Sequence, residues 1–130
     1  MLVVLDAGTA LDLVLGNERA RRVPSWALDA DAVAPALLDG DVVSAVARLE
    51  RADEGSGPRA AAAVRALTVL PVQRLPLRHF SERAWALRGS LRINDAYYVA
   101  VAKAVDATLV TTDGRIARSG VRGLSITVVS

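Results

Sequence analysis

Cysteine is absent from this chain of 130 residues. That excludes a disulfide framework, a Cys-ligated zinc or iron–sulfur centre, and a thiol nucleophile. Histidine occurs once, as His79 between Arg78 and Phe80. It reads as a residue leading into a helix, which argues against a histidine-dependent nuclease. Lysine also occurs once: all but Lys103 of the 16 basic residues are arginine. Arginine makes planar, bidentate contacts with phosphate, so an Arg-rich surface suits nucleic acid; a GC-rich genome is the plainer reading of the same bias. Long apolar runs are missing as well. No uncharged stretch approaches the ~20 residues that span a bilayer, and Met1–Leu5 meets Asp6 at once, unlike a signal peptide. A soluble, cytoplasmic protein without a membrane partner is expected.

What is present supports a folded core. Hydrophobic residues make up 52% of the chain and charged residues 23%, with a net charge of only +2, a balance that excludes intrinsic disorder. The chain length matches one domain, and the only linker-like stretch, Asp53 to Pro58, is too short to separate two. Leu2–Leu5 reads as a buried strand, and Thr9–Leu15 as a helix followed by polar Asn17–Arg22. Ser25 is expected to cap a short helix with Trp26 and Leu28. Ala32–Ala34 is a brief strand, and Pro35 fits the first turn of a longer helix to about Arg51. Arg59–Leu67 is an Ala-rich helix. Val69–Leu75 is a strand that Pro71 assigns to an edge, and Ser81 is expected to cap a helix to about Leu87. Asp95–Val105 is a helix apolar nearly all round, hence buried. Ala107–Thr111 is a strand, Arg115–Arg118 a helical turn, and Leu124–Val129 a last strand. Strands without period-two polarity, alternating with helices, predict an α/β fold: a parallel sheet of about five strands covered by helices on both faces.

In such a sheet, ligands bind beyond the carboxyl ends of the strands. Asp6 follows the first strand, Asp113 follows the fourth, and Asp95 opens the apolar helix. Each has a structural use open to it: Asp6 and Asp113 as caps of the helices that follow, Asp95 as a partner for free amides of its own first turn. Asp95 also shares a stripe with Val99 and Ala102 and so points toward the core, where an unpaired carboxylate is costly. Converging carboxylates without nearby cations repel one another. A divalent cation removes that repulsion, and hard oxygen donors without cysteine favour Mg²⁺ or Mn²⁺. A further carboxylate is expected from the helix after Pro35, whose apolar stripe is read as Leu38, Val42, Ala45 and Leu49. Asp41 lies about 60° from the direction of Leu38 and Asp39 about 100° away on the other side. Asp41 is therefore placed at the site, and Asp39 in solvent.

Four segments together resemble a known family. They are Val3-Val4-Leu5-Asp6-Ala7, Val33 through Ala45, Asn94-Asp95-Ala96-Tyr97-Tyr98 through Ala102, and Leu109 through Ala117. In order and spacing they look like PIN-domain proteins, and most nearly like the VapC class, the toxin half of bacterial toxin–antitoxin pairs. The resemblance covers nearly the whole chain and implies one PIN-like ribonuclease domain over residues 1–130. It also implies a Mg²⁺- or Mn²⁺-dependent endoribonuclease acting on RNA, commonly a homodimer, inhibited by a small antitoxin protein. On this reading Asp6 and Asp95 are the principal metal ligands, directly or through water, and Asp113 completes the shell or serves a second metal. Asp41 would orient or deprotonate the attacking water. Thr111 or Thr112 would hydrogen-bond a ligand carboxylate or the phosphate. Two positions depart from the family pattern. Asp41 stands where Glu is usual, and Gly8 where Ser is common, with Thr9 beside it as a possible replacement hydroxyl.

Other readings are weaker. Asp6-Ala7-Gly8-Thr9 also resembles the phosphate-binding turn of the actin–hexokinase class, which needs two domains around its nucleotide. A phosphoacceptor receiver domain would want a lysine near the last strand, whereas Lys103 falls within the apolar helix. A non-enzymatic alternative is a catalytically impaired PIN fold that binds RNA or a partner. Trp26 and Trp85 read as packing residues, in the core or facing a partner. For RNA contacts, Arg19, Arg21, Arg22, Arg48 and Arg51 form the expected cluster.

Overall fold

The computed structural model describes residues 1–53 and 56–129. Two positions of the linker-like stretch, 54 and 55, lie outside the described residues, so that reading stands on the sequence alone. Five parallel strands carry the fold: β1 (Leu2–Leu5), β2 (Asp31–Pro35), β3 (Val72–Leu75), β4 (Thr108–Thr111) and β5 (Ser125–Val128). Seven helices connect them: α1 (Ala7–Leu15), α2 (Ser25–Asp29), α3 (Leu38–Ala52), α4 (Gly57–Thr68), α5 (Ser81–Ala86), α6 (Ile93–Ala104) and α7 (Gly114–Ala117).

The strands lie in the order β3-β2-β1-β4-β5. The chain builds outward from β1 through β2 to β3, then crosses back to place β4 on the other side of β1. Register aligns Val4 with Val33 on one side and with Leu109 on the other. The reversal between β1 and β4 is the switch point at which an open parallel sheet forms its ligand crevice. Successive strand residues point to opposite faces, and Val3 and Val4 are both fully buried, so both faces are covered. One layer is α1, α3 and α4 packed on one another; the other contains α5 and α6, with α6 against β1, β2 and β4. Ala96, Ala100 and Ala102 on α6 are buried with Val99 and Val101, and their small side chains let this helix lie close to the sheet.

Several local expectations are corrected. Pro35 is the last residue of β2, opposite Leu75, rather than in a helix. Two residues separate it from α3, which begins at Leu38. Ser25 and Ser81 are each the first helical residue instead of the cap. Ser81 Oγ donates to the Leu77 carbonyl at 2.9 Å and meets the Tyr97 hydroxyl at 2.8 Å. The buried stripe of α3 is Leu38, Val42 and Val46, while Leu49 is 47% exposed. The reason is α4, which packs against α3 and offers Ala60, Ala63 and Leu67. Neither tryptophan is in the core: Trp26 is 39% exposed and Trp85 61%, the latter under the Arg88 guanidinium at 4.3 Å. Lys103 is exposed in the last turn of α6. No helix among the described residues is long and apolar enough to cross a membrane.

Candidate active site

Asp6 leaves β1 and caps α1, its Oδ1 accepting from the Thr9 amide at 2.9 Å. Its Oδ2 accepts a short hydrogen bond from Thr111 Oγ1 at the end of β4. Thr111 Oγ1 in turn accepts from the Asp113 amide at 2.9 Å. One hydroxyl thus ties together the carboxyl ends of two adjacent strands and fixes the rotamer of Asp6. Burial pushes the Asp6 carboxyl up, against the lowering effect of these donors. The Thr9 hydroxyl is fully buried, donates to the Val110 carbonyl at 3.1 Å, and lies near enough to Asp6 to lower its carboxyl.

Asp95 stands half-buried in the first turn of α6. Burial raises its pKa, and the negative charges of Asp113 and Asp6 raise it further. Asp113 caps α7 and meets the Arg115 guanidinium through both oxygens, at 3.0 Å to Nε and 2.8 Å to Nη2. That contact holds its carboxyl below the ordinary range.

Asp41 approaches from α3. Its Oδ2 accepts from Tyr98 Oη at 3.0 Å and its Oδ1 from Asn94 Nδ2 at 3.2 Å. Asn94 and Tyr98 are four residues apart on α6 and so share one face of it. Burial raises the Asp41 carboxyl, while Tyr98, Asn94 and the charge of Arg48 pull it down. The Tyr98 phenol is itself pushed well up by burial and by Asp41. Asp39 turns the other way. Half-exposed there, it also accepts from Arg74 Nε at 3.2 Å and Nη2 at 3.0 Å on the edge strand.

Asp41 and Asp95 line a cavity of about 620 Å³ together with Gly8, Arg48, Arg92 and Arg115. The structure therefore brings Asp6, Thr111 and Asp113 together by hydrogen bonds, and Asp95 and Asp41 to the cavity above them. Of the arginines expected at RNA, only Arg48 lines this cavity. Arg92 and Arg115 were missed, as were Asn94 and Tyr98, although the spacing of the last two beside Asp95 was a readable signal.

The donor set suits a hard divalent cation: Asp6, Asp95 and Asp113 are oxygen donors close enough to shift one another's protonation. No group of three acidic or histidine side chains among the described residues is arranged around a single ion point. Asp113 is instead paired with Arg115, which donates to both of its oxygens.

Comparison with known proteins identifies the family. The model of the PIN domain matches residues 3–121. Ribonuclease VapC9 of Mycobacterium tuberculosis is 33% identical over 129 residues, covering 98% of each chain. Ribonuclease VapC3 of the same organism is 36% identical over 118 residues, covering 90% of this chain and 86% of that one. In fold, the chain is similar to VapBC2 from Rickettsia felis, solved bound to a DNA fragment from its promoter, with a TM-score of 0.68, 12% identity and 100% of each chain covered. With its sheet order, its carboxylates at the switch point and relatives matched over nearly their full length, the chain belongs to the PIN-domain family, in its VapC branch.

Proposed function

We propose that residues 1–130 form one metal-dependent endoribonuclease domain that hydrolyses RNA phosphodiester bonds and serves as the toxin of a toxin–antitoxin pair. The observation that supports this reading is that Asp95 and Asp41 line a cavity rimmed by arginines, with the charges of Asp6 and Asp113 near enough to Asp95 to raise its pKa. VapC relatives named ribonucleases, matched along nearly the whole chain, support it.

Asp6, Asp95 and Asp113 would hold Mg²⁺ or Mn²⁺. A bound ion of this kind supplies a hydroxide at neutral pH and neutralises phosphoryl oxygens. The remaining work falls to the chain's own groups. Thr111 Oγ1 holds the Asp6 carboxylate in one orientation. Each Asp41 oxygen accepts one hydrogen bond and keeps a free lone pair, with which it can take a proton from the attacking water. Arg48 and Arg92 offer forked donors to the phosphate that enters the cavity. Arg115, paired with Asp113, lines the same cavity.

The test is incubation of the purified protein with RNA in Mn²⁺, in Mg²⁺ and in EDTA, beside folded Asp6→Asn and Asp95→Asn. Cleavage is expected only with the ions, and in neither variant. Cleavage that persists in EDTA would overturn the metal mechanism. Metal-independent RNA binding without cleavage would instead favour the impaired binding module. The toxin role predicts growth arrest on expression alone and rescue by a small co-expressed antitoxin. We place the protein in the cytoplasm as a homodimer, which sedimentation of the purified chain checks.

A further inference from the structure

A second cavity, of about 250 Å³, opens beside the first and is lined by Arg19, Arg22, Thr112 and Val129. Thr112 follows β4 and Val129 follows β5, so this cavity lies along the same carboxyl edge of the sheet as the carboxylates. The wall between the two cavities is thin. A Cβ on Gly8, which lines the carboxylate cavity, would fall 2.2 Å from Thr112 Oγ1 and 3.7 Å from Asp6 Oδ1. A neighbouring hollow of about 520 Å³ shares Arg19 and Arg22 and reaches Leu11, which also lines the carboxylate cavity. The two arginines therefore border the active site by both routes.

Charge and rigidity identify the occupant. Among the described residues no carboxylate lines the Thr112 cavity and neither arginine forms an ion pair, while Asp12 and Glu18 line the neighbouring hollow. The 3₁₀ turn Glu18–Arg22 that carries them is fastened at its base. Buried Asp12 accepts from Asn17 Nδ2 at 2.7 Å, and Asn17 Oδ1 accepts from the Ala20 amide at 3.0 Å. Gly16, at φ 61, supplies the left-handed residue that turns α1 into this segment. Two guanidiniums on an anchored turn, without an ion-pair partner among the described residues and beside the Thr112 hydroxyl, are donors prepared for a phosphate.

We infer that this cavity is a phosphate subsite, in which Arg19, Arg22 and Thr112 hold the RNA backbone phosphate next to the one cleaved. The subsite rests on the ribonuclease reading for its ligand but on its own geometry for its existence. Its consequence is that a single strand runs along the carboxyl edge of the sheet, past Gly8.

The test measures binding, so that it does not depend on cleavage. Asp6→Asn protein, in which Asn still caps α1, is titrated with labelled single-stranded RNA by fluorescence anisotropy over a salt series. Adding Arg19→Ala and Arg22→Ala should weaken binding about tenfold and flatten the plot of log affinity against log salt by about 0.7, the value of one phosphate contact on a single strand. Removing equal charge from α4, with Arg59→Ala and Arg65→Ala, should leave the slope in place. An RNA carrying one neutral methylphosphonate, moved along the strand, should bind the parent less tightly at one linkage and show no such position in the Arg19/Arg22 variant. An equal loss from the α4 pair, an unchanged slope, or no linkage dependence would each overturn the subsite. Absence of metal-dependent cleavage by the unmodified protein, with these binding results intact, would overturn the ribonuclease reading instead.

Discussion

Two hydrogen bonds decide where the Asp41 carboxylate points, and both donors come from α6. Tyr98 is 2% exposed, so its hydroxyl is a fixed donor within the core wall. Tyr98→Phe keeps the buried ring and deletes only that donor. We expect kcat to fall by about 10–100-fold, the usual cost of losing a group that orients an active-site ligand, with KM for RNA unchanged. Initial rates at saturating Mn²⁺ check it, and a change confined to KM would contradict it. Position 8 gives a second prediction. A Cβ there meets Thr112 Oγ1 at 2.2 Å, so Gly8→Ala should destabilise by about 1–3 kcal/mol through overpacking. In a Thr112→Ala background the clashing atom is gone and the penalty should shrink. Denaturant unfolding of the four proteins reads that coupling. The sequence displayed the departure at Gly8 but not its cause. A glycine is a missing side chain, and only the fold brings Thr112, more than a hundred residues away in sequence, into the vacated space.

At the scale of elements, α3 divides its two first-turn carboxylates between different tasks. Residues two apart on a helix are separated by about 200°, so Asp41 faces α6 while Asp39 faces the edge strand. Arg74 on β3 binds Asp39 and also donates to the carbonyls of Leu67, Leu70 and Val72. It therefore joins α3, the end of α4 and the sheet edge. Asp39→Ala should cost about 0.5–1 kcal/mol, as expected for a half-exposed ion pair, and leave activity in place. Asp41→Ala should abolish most activity with little change in stability. Cleavage rates and thermal melts of both proteins separate the two roles, and an inactive Asp39→Ala would reverse the assignment. The apolar pattern of α3 was enough to tell which of the two lines the cavity, because periodicity is a local property. It gave the wrong end of the stripe, since Val46 is buried and Leu49 exposed only because α4 folds against that side. It could not show that half-exposed Asp39 also pairs with Arg74, which arrives there only through strand pairing.

Over the whole molecule, the carboxylates form a stored repulsion that makes stability depend on pH. Asp6 and Asp95 have folded pKa values above the ordinary 3.8, from burial and, for Asp95, also from neighbouring charge. A carboxyl raised in this way adds stability in acid, which is lost as pH climbs through its folded value. Asp113, held low by Arg115, acts oppositely: its contribution is present above 3.8 and disappears as pH falls through its folded value. In the metal-free protein, Asp6→Asn should therefore raise Tm at neutral pH, and this advantage should fade as pH falls toward 3.8. Mg²⁺ or Mn²⁺ should raise the Tm of the unmodified protein at neutral pH and do so less in acid. Melting curves across pH, with and without the ion, would show an Asp6→Asn difference independent of pH if the site were electrostatically relaxed. What the sequence determined by itself was whatever depends on near neighbours: the buried runs of β1 and β4, the apolar α6, the acidic residues that end strands, and hence a parallel α/β fold with a carboxylate site. What the tertiary structure decided was every contact between elements: the strand order that seats β4 beside β1, the Thr111–Asp6 bond, the Tyr98–Asp41 bond and the arginine cavity behind Gly8. The physical reason is range. Helix and strand periodicities repeat over a few residues, whereas a hydrogen bond between α6 and α3 exists only after burial of the core has fixed both helices on the same sheet.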